Sequence, residues 1–186
     1  LTVIFEEVFK GYFSIDPLVV SSGTKTGVKI LYDSPRDVGT DRVVDTAAAF
    51  RLYGGPIIIV DFGTATVFDA VTKEGWYLGG AIAPGLSITA ESLFNNTSQL
   101  RRVEIVKPPA AIGKNTTMSM QSGIVLGHIG MVESMIERFK EELGADSKVV
   151  ATGGYAEFMS KEIKMFDFIN PELTLTGLNM ILEMNS

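Results

Sequence analysis

The sequence predicts a mixed α/β fold, on two observations. A β-branched run at 57–60 is followed by a Gly-Thr turn and by the alternating segment 66–71, which together are typical of a buried strand and a hairpin. A long helical pattern over 116–143 then leads into a short apolar strand at 148–152. Alternation of strands and helices is typical of α/β domains, and 186 residues suffice for one ordinary domain or two very small ones.

The other elements follow from periodicity and from the Gly and Pro residues that interrupt it. In chain order, we predict an exposed strand or extended loop over 28–32, a helix from about 41 to 53, a strand near 76–78, a loop over 79–85, a helix over 86–94, a strand over 102–106, and short helices over 155–161 and 174–183. Gly123, Gly127 and Gly130 are expected to permit close packing along one side of the long helix.

Composition excludes several classes of protein. With 46% hydrophobic and 20% charged residues, the chain is neither disordered nor collagen-like. A net charge of −6 disfavours a general nucleic-acid binder. Cysteine is absent and His128 is the single histidine, so disulfides, thiolate zinc sites and multi-histidine metal sites are excluded. No apolar stretch or basic leader indicates a membrane or secreted protein, so a cytoplasmic enzyme or binding protein is expected.

The first candidate site follows the strand at 57–60. Asp61 ends that strand, and Gly63, Thr64 and Thr66 follow it at a tight turn. Glycine lets backbone N–H groups approach a phosphate closely, threonine supplies hydroxyl donors, and the carboxylate could hold a cation. On this short string alone, an ordinary hairpin turn explains the residues about as well.

The second candidate is Gly39-Thr40-Asp41-Arg42, at the start of a predicted helix. A carboxylate there can take a proton from a substrate hydroxyl, and the guanidinium can clamp a carboxylate or phosphate. In isolation, a helix N-terminus with a stabilising first-turn acid is the favoured interpretation.

Two weaker candidates are glycine pairs. Thr152-Gly153-Gly154 follows a short strand, where paired glycines can admit a base or ribose. Gly79-Gly80 carries little information alone.

His128 lies among apolar residues, and we interpret it as a packed helix residue rather than a catalyst.

In this order and spacing, the strings resemble those of the type III pantothenate kinases, the family that includes the Bvg accessory factors. The similarity runs from Pro17 onward. The strings that carry it are 35–42 (Pro-Arg-Asp-Val-Gly-Thr-Asp-Arg), 61–66 with Asp69 beyond it, 79–86, 120–123 and 152–154. Each is modestly specific, but five in the right order are strongly so.

The resemblance implies the fold of the acetate and sugar kinase, heat-shock cognate and actin superfamily, which is ribonuclease H-like. Two α/β halves would enclose ATP. Residues 1–55 would be the remainder of the first half, lacking its opening strands, and 56–186 the second. The implied reaction is phosphorylation of pantothenate by ATP with Mg²⁺, giving 4′-phosphopantothenate in the first step toward coenzyme A. A monovalent cation (K⁺ or NH₄⁺) and a homodimer are also implied.

The same resemblance implies roles for individual residues. Asp41 would be the general base, Arg42 would hold the pantothenate carboxylate, and Asp61 would bind the cation. The other implied contacts are Gly39 and Thr40 in the pantothenate pocket, Thr116 reaching pantothenate from the partner subunit, Gly63, Thr64 and Thr66 at the phosphates, and Thr152, Gly153 and Gly154 around the nucleotide.

The chain departs from the family pattern in one respect, because it has no Asp-x-Gly-Asn-Thr phosphate motif. Truncation, a trimmed N-terminus and a diverged protein without kinase activity are the three explanations. Two alternatives to the interpretation as a pantothenate kinase stay open. One is a non-catalytic nucleotide-binding or regulatory member of the family, and the other is a kinase of the same superfamily that acts on another alcohol.

Overall fold

The fold is organised around one mixed β-sheet. The computed structural model describes residues 2–21 and 23–186. Its six strands lie in the order β1-β4-β3-β2-β5-β6. The central three form an antiparallel meander, whereas β1, β5 and β6 each join a neighbour in parallel. The bounds are β1 (Lys29–Ile30), β2 (Ile57–Phe62), β3 (Ala65–Val71), β4 (Trp76–Pro84), β5 (Lys148–Thr152) and β6 (Phe168–Ile169).

Helices connect and cover these strands. They are α1 (Thr2–Phe13), α2 (Thr40–Tyr53), α3 (Leu86–Asn95), α4 (Thr116–Gln121), α5 (Gly127–Leu143), α6 (Ala156–Ser160) and α7 (Leu173–Asn185). A single π-helical turn, Ser122–Leu126, joins α4 to α5. Within residues 2–21 and 23–186, none of the helices combines the length and the apolar character that crossing a membrane requires.

The alternation of side chains along β2 sorts the core into two layers. Ile58, Val60 and Phe62 pack on the side of α5, while Ile57 and Ile59 pack on the side of α2 and α7. Since neighbouring residues of a strand point to opposite faces, residue 61 points to the α2 side, with Ile57 and Ile59. The apolar run at 57–60 is continuous because β2 is covered on both faces.

Most predicted elements are confirmed. The buried strand and hairpin are β2 and β3, the strand at 148–152 is β5, and the helices predicted from 41 and from 86 are α2 and α3. The long helix spans the predicted residues, with the π turn inside it. Gly144, with a φ of +123°, ends it as expected.

The predicted loop over 79–85 is wrong, because β4 continues through it to Pro84. Gly79 has a φ of +129° where the pairing with β3 shifts register, and a Cβ on Gly80 would collide with the carbonyl of Phe68. Gly79 is therefore needed at a β-bulge, and Gly80 is needed where β3 and β4 approach closely. Sequence patterns do not distinguish these two requirements from a turn.

Two other expectations need correction, and two elements were not predicted. The strand predicted over 102–106 is absent: Arg102 lies over the ring of Phe94, and the Gln121 amide donates to the Glu104 carbonyl. Helix α1 and strand β6 were not predicted. Beyond the adjacent backbone of their own helix, no atom of the described residues lies within 4 Å of a Cβ built on any of the three glycines, so the expected close packing is not made within this chain.

Candidate active site

The carboxyl ends of β2 and β5 bring two predicted positions together. Asp61 and Thr152 are register partners of these parallel strands. Gly153 follows with a φ of +87°, and a Cβ on it would collide with the Asp61 carboxylate and the Phe62 backbone. Only glycine fits here without displacing Asp61. This edge matches the position at which open α/β sheets bind ligands.

The turn between β2 and β3 is fixed by backbone contacts. The N–H of Gly63 donates to the Ala65 carbonyl at 3.0 Å, and the N–H of Gly85 donates to the Thr64 carbonyl at 3.1 Å. A Cβ on Gly85 would collide with the carbonyls of residues 63 and 64. Thr64 is thereby held exposed at the tip of the turn, beside the first residue of α3.

Asp41 lies in the first turn of α2, directly after Gly39 and Thr40. Its side chain is exposed, and its Oδ1 accepts from the N–H of Arg42 at 2.9 Å. The charge of Asp41 contributes to raising the pKa of Asp61. The negative charge at the start of α2 therefore acts on the carboxylate at the end of β2.

Burial, followed by the charges of Asp41 and Asp69, raises the pKa of Asp61 to about 6. A bound cation would offset this cost of keeping Asp61 charged. The described residues contain no group of three or more ligating side chains that could hold a metal by itself. Asp61 could serve as a single carboxylate ligand to an ion such as Mg²⁺, which commonly takes its other ligands from phosphate and water.

Arg42 is engaged within the chain. Its Nη2 lies 2.7 Å and its Nε 3.0 Å from Oδ1 of Asp69, which also accepts from the Tyr77 hydroxyl at 2.9 Å. The guanidinium lies over the Tyr77 ring, 5.7 Å from its centroid. Asp69 stands beyond one of the family-like strings without an assigned role, and no sequence pattern indicated Tyr77.

Three further predicted residues lie on other elements or faces than Asp41 and Asp61. Thr66 is buried, and its hydroxyl lies 2.9 Å from Nε2 of His128 on the α5 side of the sheet. His128 is a packed helix residue, as expected, and burial lowers its pKa. Thr116 begins α4 and lines an apolar groove of about 580 Å³ between α3 and α4. Gly154 is exposed beyond β5.

Asp45 is a buried carboxyl that sequence analysis missed. It lies one helical turn after Asp41, accepts from the Thr174 hydroxyl of α7 at 2.6 Å, and is 3% exposed. Burial first, opposed by the Thr174 hydrogen bond, and then the charges of Asp61, Asp69 and Asp41 raise its pKa to about 7. No local pattern indicates its burial, because α7, which packs over it, lies far along the chain.

Comparison with known proteins gives the relationship. A family model described as type III pantothenate kinase matches residues 1–138. The chain is 52% identical over 185 residues to a type III pantothenate kinase of Dehalococcoides mccartyi strain CBDB1, covering all of this chain and 70% of the relative. It is 48% identical to one of Roseiflexus sp. strain RS-1, covering 72% of that relative.

A solved structure adds information on the fold alone. It is the crystal structure of a conserved protein from Campylobacter jejuni, titled a Baf family transcriptional activator. It aligns with a TM-score of 0.59 at 20% identity, over 85% of this chain and 68% of that one. The family model and the curated relatives carry the assignment: the chain belongs to the type III pantothenate kinase family.

Proposed function

We propose that this protein transfers the γ-phosphoryl group of ATP to the hydroxyl of pantothenate, giving 4′-phosphopantothenate. Membership of the family supports this activity. The observation that carries the site assignment is that the Asp61 carboxylate lies against Gly63 and Gly153 at the strand ends, where the charge of Asp41 contributes to its raised pKa. An alcohol placed by α2 and a phosphate placed by the strand ends can meet there.

Asp41 accepts the hydroxyl proton in the proposed mechanism. The pantothenate oxygen forms the new bond to phosphorus, the bond to the ADP oxygen breaks, and the proton passes to the Asp41 carboxylate. Such a base is worth about 10²- to 10⁴-fold in rate. The exposure of Asp41 supports this role, since the carboxylate can be reached from solvent. Arg42 binds the substrate carboxylate, and Gly39 and Thr40 line the same pocket.

The nucleotide is placed at the strand ends in this proposal. Gly63 and Thr64 lie at the phosphates, and Thr152, Gly153 and Gly154 lie around the adenosine. The Thr152 hydroxyl is buried and has no hydrogen-bond partner among the described residues, which supports a polar neighbour there. The predicted role of Thr66 at the phosphates gains no support from its contacts, because its hydroxyl meets His128 and its backbone lies between Phe62 of β2 and Ala83 of β4. A metal ion held at Asp61 would neutralise charge developing on the phosphates.

The larger architecture is proposed as actin-like. The order β4-β3-β2-β5-β6, with an antiparallel meander extended by two parallel strands, supports a ribonuclease H-like half over 56–186. The division at residue 55 stays a prediction. Helix α2, from the first segment, packs on the sheet and on α7 of the second segment.

A cytoplasmic location of the protein also stays a prediction.

We further propose a homodimer in which Thr116 reaches the partner's pantothenate. Within one chain, Thr116 lines the groove between α3 and α4, on a different element from Asp41. Gly123 lines the same groove, and Gly127 and Gly130 are exposed further along the long helix. A partner helix seated there would explain why these glycines meet nothing within the chain.

The alternative is a family member that binds nucleotide without turnover. The sequence observation that favours it is the lack of an Asp-x-Gly-Asn-Thr motif in these 186 residues. Phosphate contacts would then come from the β2–β3 turn alone.

An assay of phosphoryl transfer separates these functions. The full-length gene product is incubated with ATP, Mg²⁺, K⁺ or NH₄⁺, and either pantothenate or a panel of other primary alcohols. We expect transfer to pantothenate, dependent on the monovalent ion. Nucleotide binding by calorimetry without transfer to any acceptor would instead support the non-catalytic alternative, and preference for another alcohol would support a different kinase.

A further inference from the structure

The Arg42 guanidinium is held by side chains from two neighbouring strands. Asp69 of β3 and Tyr77 of β4 meet it, and a single oxygen, Oδ1 of Asp69, accepts from Nε, from Nη2 and from the Tyr77 hydroxyl. The Arg42 side chain is 11% exposed and that of Asp69 is 3% exposed. The hydrogen bonds that the described residues make with this guanidinium use one N–H each of Nε and Nη2, which leaves both N–H groups of Nη1 and the second of Nη2 for a ligand.

The backbone of β4 makes room for this arrangement. A Cβ on Gly80 would approach Nη2 of Arg42 to 2.8 Å and would collide with the carbonyl of Phe68. Any larger residue at position 80 would therefore push the guanidinium away from the strand. Glycine at position 80 is thus required both for the close pairing of β4 with β3 and for the placement of Arg42.

The energetics of the pair make Asp69 important to the orientation of Arg42. An arginine in a mostly buried position needs a compensating charge, and removing one partner leaves the other uncompensated. Two contacts to one carboxylate oxygen also fix the plane of the guanidinium, which a lone exposed arginine would not have. Pre-organisation of this kind lowers the entropic cost of binding an anion.

We propose that Asp69 and Tyr77 are positioning residues that confer preference for a carboxylate-bearing acceptor, by fixing Arg42 so that Nη1 is presented to the substrate carboxylate. This inference rests on the proposed function, since it takes pantothenate as the acceptor and Arg42 as its carboxylate ligand. Asp69 and Tyr77 act through Arg42, so their loss should affect recognition of the carboxylate more than transfer itself.

The test compares pantothenate with pantothenol, the analogue whose carboxylate is replaced by an alcohol. For each variant of the full-length protein, the quantity measured is kcat/KM for pantothenate divided by kcat/KM for pantothenol. Asp69→Asn should lower this ratio on the order of tenfold, and Tyr77→Phe, which keeps the ion pair, about threefold. Glu74→Gln, an exposed acid in the β3–β4 hairpin, is the matched control and should leave the ratio unchanged.

Three results would overturn the inference. If Asp69 and Tyr77 had only a structural role, their substitution would lower kcat/KM for both substrates equally and would leave the ratio unchanged. Competition between Asp69 and the substrate for Arg42 would raise the ratio in Asp69→Asn. If Asp69→Asn fails to fold, an unchanged ratio in Tyr77→Phe would by itself contradict the inference. Two further results separate this inference from the proposed function. If Arg42→Met lowers the ratio and Asp69→Asn does not, the positioning role alone fails. If wild-type protein phosphorylates neither substrate, the proposed function fails.

Discussion

Individual carboxylates dominate the electrostatics beside α2. Asp41 and Asp61 could be predicted from sequence, because each follows or precedes an element boundary within a recognisable string. Asp45 could not, since its burial depends on α7 packing over it from more than a hundred residues away. The pairing of Arg42 with Asp69 was equally inaccessible, because it depends on the register of β3 and β4.

Asp45 gives a prediction about pH and stability. Its pKa is raised to about 7 in the folded protein, so the folded state retains a proton that the unfolded state releases near pH 4. Stability from this group is therefore present at low pH and is lost as pH rises from about 4 to about 7. Asp45→Asn cannot ionise and keeps an oxygen for Thr174, so it should stabilise the protein at pH 8 by on the order of 2 kcal/mol.

Urea unfolding at pH 5 and pH 8 measures this effect. The gain should be larger at pH 8, and Asp146→Asn, an exposed acid, serves as the control. A variant that is less stable than wild type at pH 8, or a gain confined to pH 5, would contradict the assigned environment of Asp45.

At the scale of elements, prediction worked where a repeating pattern determines the structure. Strand β2 and the long helix extend over several periods of their patterns, and both were predicted with nearly correct bounds. Strand β4 was cut short because Gly79 and Gly80 look like a turn, whereas the need for glycine comes from the neighbouring strand. The two-residue strand β6 is too short to carry a pattern, and it forms only by pairing with β5.

The long helix also provides the test of the proposed dimer. Position 127 is exposed with open space around it, so Gly127→Leu should fold normally in a monomer and should improve helix propensity. Across a close helix contact between subunits, the same side chain would obstruct packing. We therefore expect wild type to sediment as a dimer, and Gly127→Leu to shift toward monomer with unchanged far-ultraviolet circular dichroism.

Gly11→Leu is the matched control, because Gly11 is also helical and surrounded by open space. It should leave the sedimentation of the dimer unchanged. Wild-type protein that sediments as a monomer at micromolar concentration, or Gly127→Leu protein that remains fully dimeric, would argue against an interface on this face.

For the whole molecule, the sheet brings chemistry from distant parts of the chain to one edge. Asp41 precedes the central meander, Asp61 ends its first strand, and Thr152 follows the long helix. Local patterns indicate each position separately. Asp61 and Thr152 meet because β5 pairs in parallel beside β2, and Asp41 comes from α2, which packs on the same sheet; both are long-range properties that only the fold provides. The resemblance to a family supplied that information at the sequence level.

The most direct test of the central claim is the rate of phosphoryl transfer by Asp41→Asn in the full-length protein under saturating ATP and pantothenate. The substitution keeps the size of the side chain and removes its ability to accept a proton. We predict a loss of about 10²- to 10⁴-fold in kcat, with ATP affinity measured by calorimetry unchanged. A kcat within about twofold of wild type would contradict the account, because Asp41 could not then be the base that meets the phosphoryl group at Asp61.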